Sequence, residues 1–159
     1  MLIDNAHSLL CLDDSAAMRA DVKGPHIALL PVAETTSDNS SFRSLIISAR
    51  LSNGEGSVRL KLDSGTNVAF LFNTSKYVAP GSTRSAGGGL NGVQRSYLTL
   101  PPQDLNIGAL KFPKVSFSTT LTDSRKDSRR SAYDGLLTLG LFRRVLICHA
   151  DHFAVFEPW

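Results

Sequence analysis

Asp63 opens the tetrad Asp63-Ser64-Gly65-Thr66 directly after the alternating run Val58-Arg59-Leu60-Lys61-Leu62. Alternation sends successive side chains to opposite faces of a strand, so Val58, Leu60 and Leu62 point into a core while Arg59 and Lys61 meet water. The strand therefore delivers the Asp63 carboxyl to the mouth of a turn. A carboxylate so placed can take a proton from water while a second, protonated carboxyl donates to the carbonyl oxygen under attack. Together they hydrolyse a peptide without metal or covalent nucleophile. Like charges at close range cannot both ionise, so such a dyad shares one proton and titrates as a pair. This stretch supplies one acid of the two. Taken alone, the tetrad also suits a strand-terminating turn in which Asp and Gly provide only geometry.

Other chemistries have weaker anchors. Cys148-His149-Ala150-Asp151-His152 holds ligand-type residues, but neighbours along a strand point to opposite faces and the segment reads as a hairpin turn, so no metal is expected. No Ser stands in a Gly-x-Ser-x-Gly elbow. Gly87-Gly88-Gly89-Leu90-Asn91-Gly92 lacks the Gly-Lys-Ser/Thr ending of a phosphate loop, and no cofactor is expected. His7 and His26 stand alone as surface or loop residues, and Cys11 and Cys148 read as buried free thiols. The formal charge is only +3, from 17 Lys+Arg against 14 Asp+Glu, which argues against a nucleic-acid partner. The N-terminus lacks the basic and apolar regions of a signal peptide, and no run reaches transmembrane length. Localisation stays open, with export allowed if the N-terminus is truncated.

The elements that position Asp63 are strands. With 42% hydrophobic and 19% charged residues, the 159-residue chain can bury a core. Its short alternating runs are separated by Gly, Pro, Asn and Ser clusters, and they predict an all-β fold. The strands expected are 44–51, 58–62 after the turn Asn53-Gly54-Glu55-Gly56, 68–72, 95–100, 105–107, 110–117, 145–148 and 153–156. Residues 33–41 are small and polar and read as a linker or surface loop. Residues 122–131, with Arg125, Lys126, Arg129 and Arg130, read as a solvated loop. One internal similarity stands out: residues 2–13 can be laid over 146–157, each an apolar strand, a polar turn, an apolar strand and an acid. This divides the chain into a terminal hairpin and linker at 1–40, read as a remnant of an upstream lobe, and a main lobe at 41–159.

After the tetrad come Asn67-Val68-Ala69-Phe70-Leu71-Phe72, and further on Tyr133-Asp134-Gly135-Leu136-Leu137, a helical turn from Leu139 to Arg144, and a hairpin ending Phe156-Glu157-Pro158-Trp159. This order resembles the retropepsin-like aspartic proteases, particularly bacterial members, over essentially all of residues 41–159. The resemblance implies an acid-protease lobe, a closed β-barrel with one short C-terminal helix.

It also implies a peptide or protein substrate, and a second Asp from an identical subunit or a sister lobe. By position Asp63 becomes the catalytic acid. Ser64 would bond across the two-fold axis, Gly65 would let the backbone pass closely, and Thr66 would orient the carboxylate. Gly87, Gly88 and Gly89 fall where the family carries a flap over the substrate. Asp134, Gly135, Leu136 and Leu137 form the segment crossing under the site, with Asp134 a structural turn acid. The family usually places Gly after that second apolar pair, whereas this chain has Thr138 and delays Gly to position 140. That departure keeps open a catalytically inactive protease-like domain that binds peptide or assembles. A small β-barrel binding module requires the Asp63 and Asp134 segments to lie far apart.

Overall fold

Period-two alternation governs what forms. The computed structural model describes residues 1–12, 16, 23–30, 33–35, 41–43, 45–52, 56–72, 77–88, 94–121 and 132–159. Among them run β1 (Leu2–Asp4), β2 (Leu9–Cys11), β3 (Ile27–Ala28), β4 (Ala33–Thr35), β5 (Ser41–Arg43), β6 (Ile46–Leu51), β7 (Ser57–Asp63) and β8 (Ala69–Leu71). They continue with β9 (Thr83–Gly88), β10 (Gln94–Thr99), β11 (Gln103–Ile107), β12 (Leu110–Val115), β13 (Phe117–Thr120) and β14 (Gly135–Thr138). A 3₁₀ turn at Leu139–Leu141 leads into β15 (Phe142–Cys148) and β16 (Phe153–Pro158). The molecule is nearly all-β, as expected from the sequence.

The large sheet has the order β12-β11-β6-β7-β14-β8-β13-β10-β9, and a second sheet has β2-β1-β15-β16-β3. The first order ends on β12 and β9, with no pairing between these two among the described residues. In β7 the side chains of Val58, Leu60 and Leu62 are buried, and they join Ile47, Leu71, Leu105, Phe117, Leu137, Phe142 and Phe156 in one core. Burying each such side chain contributes roughly 1.5–3 kcal/mol. That core is the platform on which the end of β7 rests.

Three expectations change. The ends of the segment read as a linker pair with each other: Ala33 stands opposite Arg43 and Thr35 opposite Ser41. The helical turn expected to reach Arg144 stops at Leu141, because Phe142 and Val145 are buried in the strand that follows. The run 110–117 is two strands, parted at Ser116 beyond the positive-φ Lys114. The loop at 122–131, residues 36–40 and the turn residues 53–55 lie outside the described residues.

Two strands before residue 31 are tied to the closing hairpin, since β1 pairs with β15 and β3 with β16. Ile27 and Leu29 enter the main core. No helix among the described residues is long and apolar enough to cross a membrane.

On β11, Asp104 accepts from the Lys111 ammonium at 3.0 Å and from the backbone N–H of Lys114, and these contacts hold its carboxyl below the usual range. A depressed folded pKa means that its contribution to stability is present above the unfolded value of about 3.9 and is lost as pH falls through the folded one. Asp104→Asn is therefore expected to lower the urea midpoint slightly at neutral pH. The gap should close as wild type is titrated below about pH 4, which urea melts at several pH values would check.

Candidate active site

β7 and β8 are consecutive in the chain but not neighbours in the sheet. β14 lies between them, parallel to β7 with Gly135 opposite Leu60 and Thr138 opposite Asp63, and antiparallel to β8 with Leu136 opposite Phe70. The loop 64–68 must therefore pass over the end of β14. This brings Asp63, Ser64, Gly65 and Thr66 together with Gly135, Leu136, Leu137 and Thr138. The Asp63 and Asp134 segments are adjacent strands, which removes the condition for an unrelated binding module.

Asp63 is half-buried at the strand tip, and Ser64 and Gly65 beside it are exposed. Its Oδ1 accepts from the Gly65 backbone N–H at 2.7 Å. Thr66, expected to orient the carboxylate, uses its hydroxyl elsewhere: Oγ1 donates to the Val68 carbonyl at 2.8 Å and accepts from the Val68 N–H at 3.3 Å. The short link to Gly65 fixes the carboxylate at one oxygen.

Asp134 anchors the start of the threaded strand. Its N–H donates to Arg59 O at 2.7 Å, its carbonyl accepts from Phe72 N at 3.0 Å, and its Oδ2 accepts from Arg59 N at 2.9 Å. Arg59 lies four residues before Asp63 on β7, roughly 13 Å along a strand. Asp134 is thus a brace between β7 and β8, too distant to share a proton with Asp63. Removing the brace in Asp134→Ala deprives the Arg59 N–H of its acceptor and is expected to cost about 1–3 kcal/mol in chemical denaturation. Asp134→Asn keeps an acceptor oxygen and should lose less.

Gly135 explains why Asp134 is followed by glycine. A Cβ there would clash with the Phe70 carbonyl oxygen and meet Leu60 Cδ2 at 3.2 Å. Thr138 is buried, and its Oγ1 accepts from Gly140 N at 3.3 Å, capping the 3₁₀ turn.

Gly87 and Gly88 lie on β9, which pairs with β10 as a hairpin: Gly88 opposite Gln94 and Gly87 opposite Arg95. Gly89 lies outside the described residues. A chain of rings links the base of this hairpin to the site, a feature that sequence reading missed. Tyr97 on β10 meets Phe70 edge-on at 5.6 Å, Phe70 meets Phe72 at 5.7 Å, and Phe72 meets Tyr133 at 5.7 Å. The available signal was the spacing of Phe70 and Phe72, two residues apart and so on one face of a strand.

The candidate ligand residues near the C-terminus occupy a turn, where the Cys148 thiol donates to Asp151 Oδ2 at 3.1 Å.

A retropepsin-like aspartic protease from Rickettsia conorii is similar to this chain. Its crystal structure aligns with 86% of this chain and 90% of its own at 17% identity and a TM-score of 0.48. No family model matches the chain, and no curated protein matches it.

Proposed function

We propose that the chain is one lobe of an aspartic endopeptidase in which Asp63 shares a proton with a second carboxyl from a dimer mate or a sister lobe. The observation that carries this reading is the position of the Asp63 carboxylate. It stands at the end of a buried strand, beside a threaded neighbour, with one oxygen held by Gly65 N and exposed chain around it. In the reaction the ionised carboxylate takes a proton from water as the water oxygen bonds to the peptide carbonyl carbon. The protonated partner gives its proton to the carbonyl oxygen. Collapse of the tetrahedral species breaks the C–N bond, and the amine leaves with a proton from the dyad.

Gly65 orients the acid, Thr66 shapes the loop through Val68, and Ser64 is exposed for a bond across the two-fold axis. Gly135, Leu136 and Leu137 support the loop from below, and the paired strands β9 and β10, with Gly87 and Gly88 on β9, are the flap. Extended peptide would lie under it as an added strand. The test is hydrolysis of an unfolded protein by the assembled enzyme across acid to neutral pH. A bell-shaped profile belonging to the pair is expected, and a profile without an acidic limb would reject the dyad.

Thr138 favours a second reading, a catalytically inactive peptide-binding or assembly domain, because it places a buried β-branched side chain opposite Asp63 where the family pattern has glycine. Peptide retained intact by the two-carboxyl assembly would select that reading.

A further inference from the structure

The two hairpins that looked alike in sequence are alike in register, turn and side-chain contact. With Leu2 laid on Leu146, the pairs Leu2–Cys11, Ile3–Leu10 and Asp4–Leu9 fall on Leu146–Val155, Ile147–Ala154 and Cys148–Phe153. Each turn has one left-handed residue at the same place, Ser8 at φ 56° and His152 at φ 54°. Each also carries a side-chain hydrogen bond between the same positions, His7 with Asp4 at 3.0 Å and Cys148 with Asp151 at 3.1 Å.

The pairing between the hairpins is its own image. Leu2 stands opposite Leu146 and Ile3 opposite Val145. The counterpart of that second pair is Met1 with Ile147, and these exchange backbone hydrogen bonds at 3.0 and 2.8 Å. A local two-fold axis therefore passes between Leu2 and Leu146.

What differs is cover. Ala154 and Phe156 on β16 are 0% and 1% exposed over the core, whereas their counterparts Leu10 and Leu12 are 62% and 76% exposed. Contiguous exposed leucines mark a surface that is covered in the assembly.

We infer that residues 1–12 are the closing hairpin of a second lobe of this same fold in the same polypeptide, and that this lobe faces Asp63 across the axis. The assignment of its carboxyl as the missing acid rests on the peptidase reading above. A second copy of the chain is disfavoured because its closing hairpin would need the edge of β15 that β1 already holds. That edge is further secured by Asn5, whose N–H donates to Arg143 O and whose Nδ2 donates to Leu139 O and Phe142 O, each at 2.8 Å.

The test has two arms. Sequencing the native polypeptide and its reading frame should show a second Asp-Ser/Thr-Gly about as far before Leu2 as Asp63 lies before Leu146. An in-frame stop just before Met1, with a native product of this chain's mass, would overturn the inference. The second arm is sedimentation and cleavage of an unfolded protein by the 159-residue chain. A monomer without cleavage supports the inference. A dimer that cleaves, and stops cleaving in Asp63→Asn, overturns it while leaving the peptidase reading intact. A native two-lobed protein whose cleavage survives Asp63→Asn keeps the inference and overturns the peptidase reading.

Discussion

On the proposed peptidase reading, Asp63→Asn is expected to lower peptide hydrolysis by the two-carboxyl assembly on the order of 10²–10⁴-fold, the range that positioned acid–base groups supply. The amide keeps the shape of the side chain and an oxygen that can still accept from Gly65 N, so the loop has no reason to rearrange. Stability should stay within about 0.5 kcal/mol of wild type. Asn cannot take the proton from water at any useful pH, so the loss should fall on kcat with KM little changed. Measuring both constants alongside a thermal melt separates this outcome from unfolding. Cleavage at the wild-type rate by a folded Asp63→Asn protein would remove Asp63 from the chemistry.

Gly135→Ala carries the largest expected structural effect. The added methyl would run into the Phe70 carbonyl oxygen of β8, with Leu60 Cδ2 closing the other side at 3.2 Å. β14 cannot slide away, because it is bonded to β7 on one edge and to β8 on the other. Overpacking a tight core typically costs 1–3 kcal/mol, and a clash with main chain held on both sides belongs at or above about 3 kcal/mol. The urea midpoint should fall sharply, or the protein should fail to accumulate folded. Gly88→Ala is the control: its Cβ would meet nothing within 4 Å, so stability should hardly move. Equal stability of the two variants would mean that β14 is not threaded as described.

Much of the site was legible because it obeys short-range rules. Alternation in Val58 to Leu62 marked β7, and the acid at its end followed from that. The two similar hairpins were visible as a repeated order of apolar and polar residues, and their registers match. Residues whose environment comes from elsewhere in the chain were harder to read. β9 has almost no apolar side chain and is exposed nearly throughout, so only its ladder to β10 makes it a strand. Leu139 to Arg144 contains no helix breaker after Gly140, yet Phe142 is drawn into the core against Phe112 and Phe156 and forces the chain to extend. The hydroxyl of Thr66 had two nearby uses, and spacing alone does not say that Val68 wins over Asp63. Gly135 was legible as part of the crossing segment, but that its absent side chain answers to a carbonyl on a different strand was not.

The insertion of β14 also orders events in time. Asp134 and Arg59 bond across 75 residues, and contacts of such long range form late and slowly because the intervening chain must first be gathered in. During synthesis β7 and β8 leave the ribosome with a gap where the central strand belongs, and the acidic loop has nothing beneath it until Gly135 to Thr138 have emerged. Until Gly135 to Thr138 are paired on both edges, the loop that carries Asp63 therefore lacks its supporting strand.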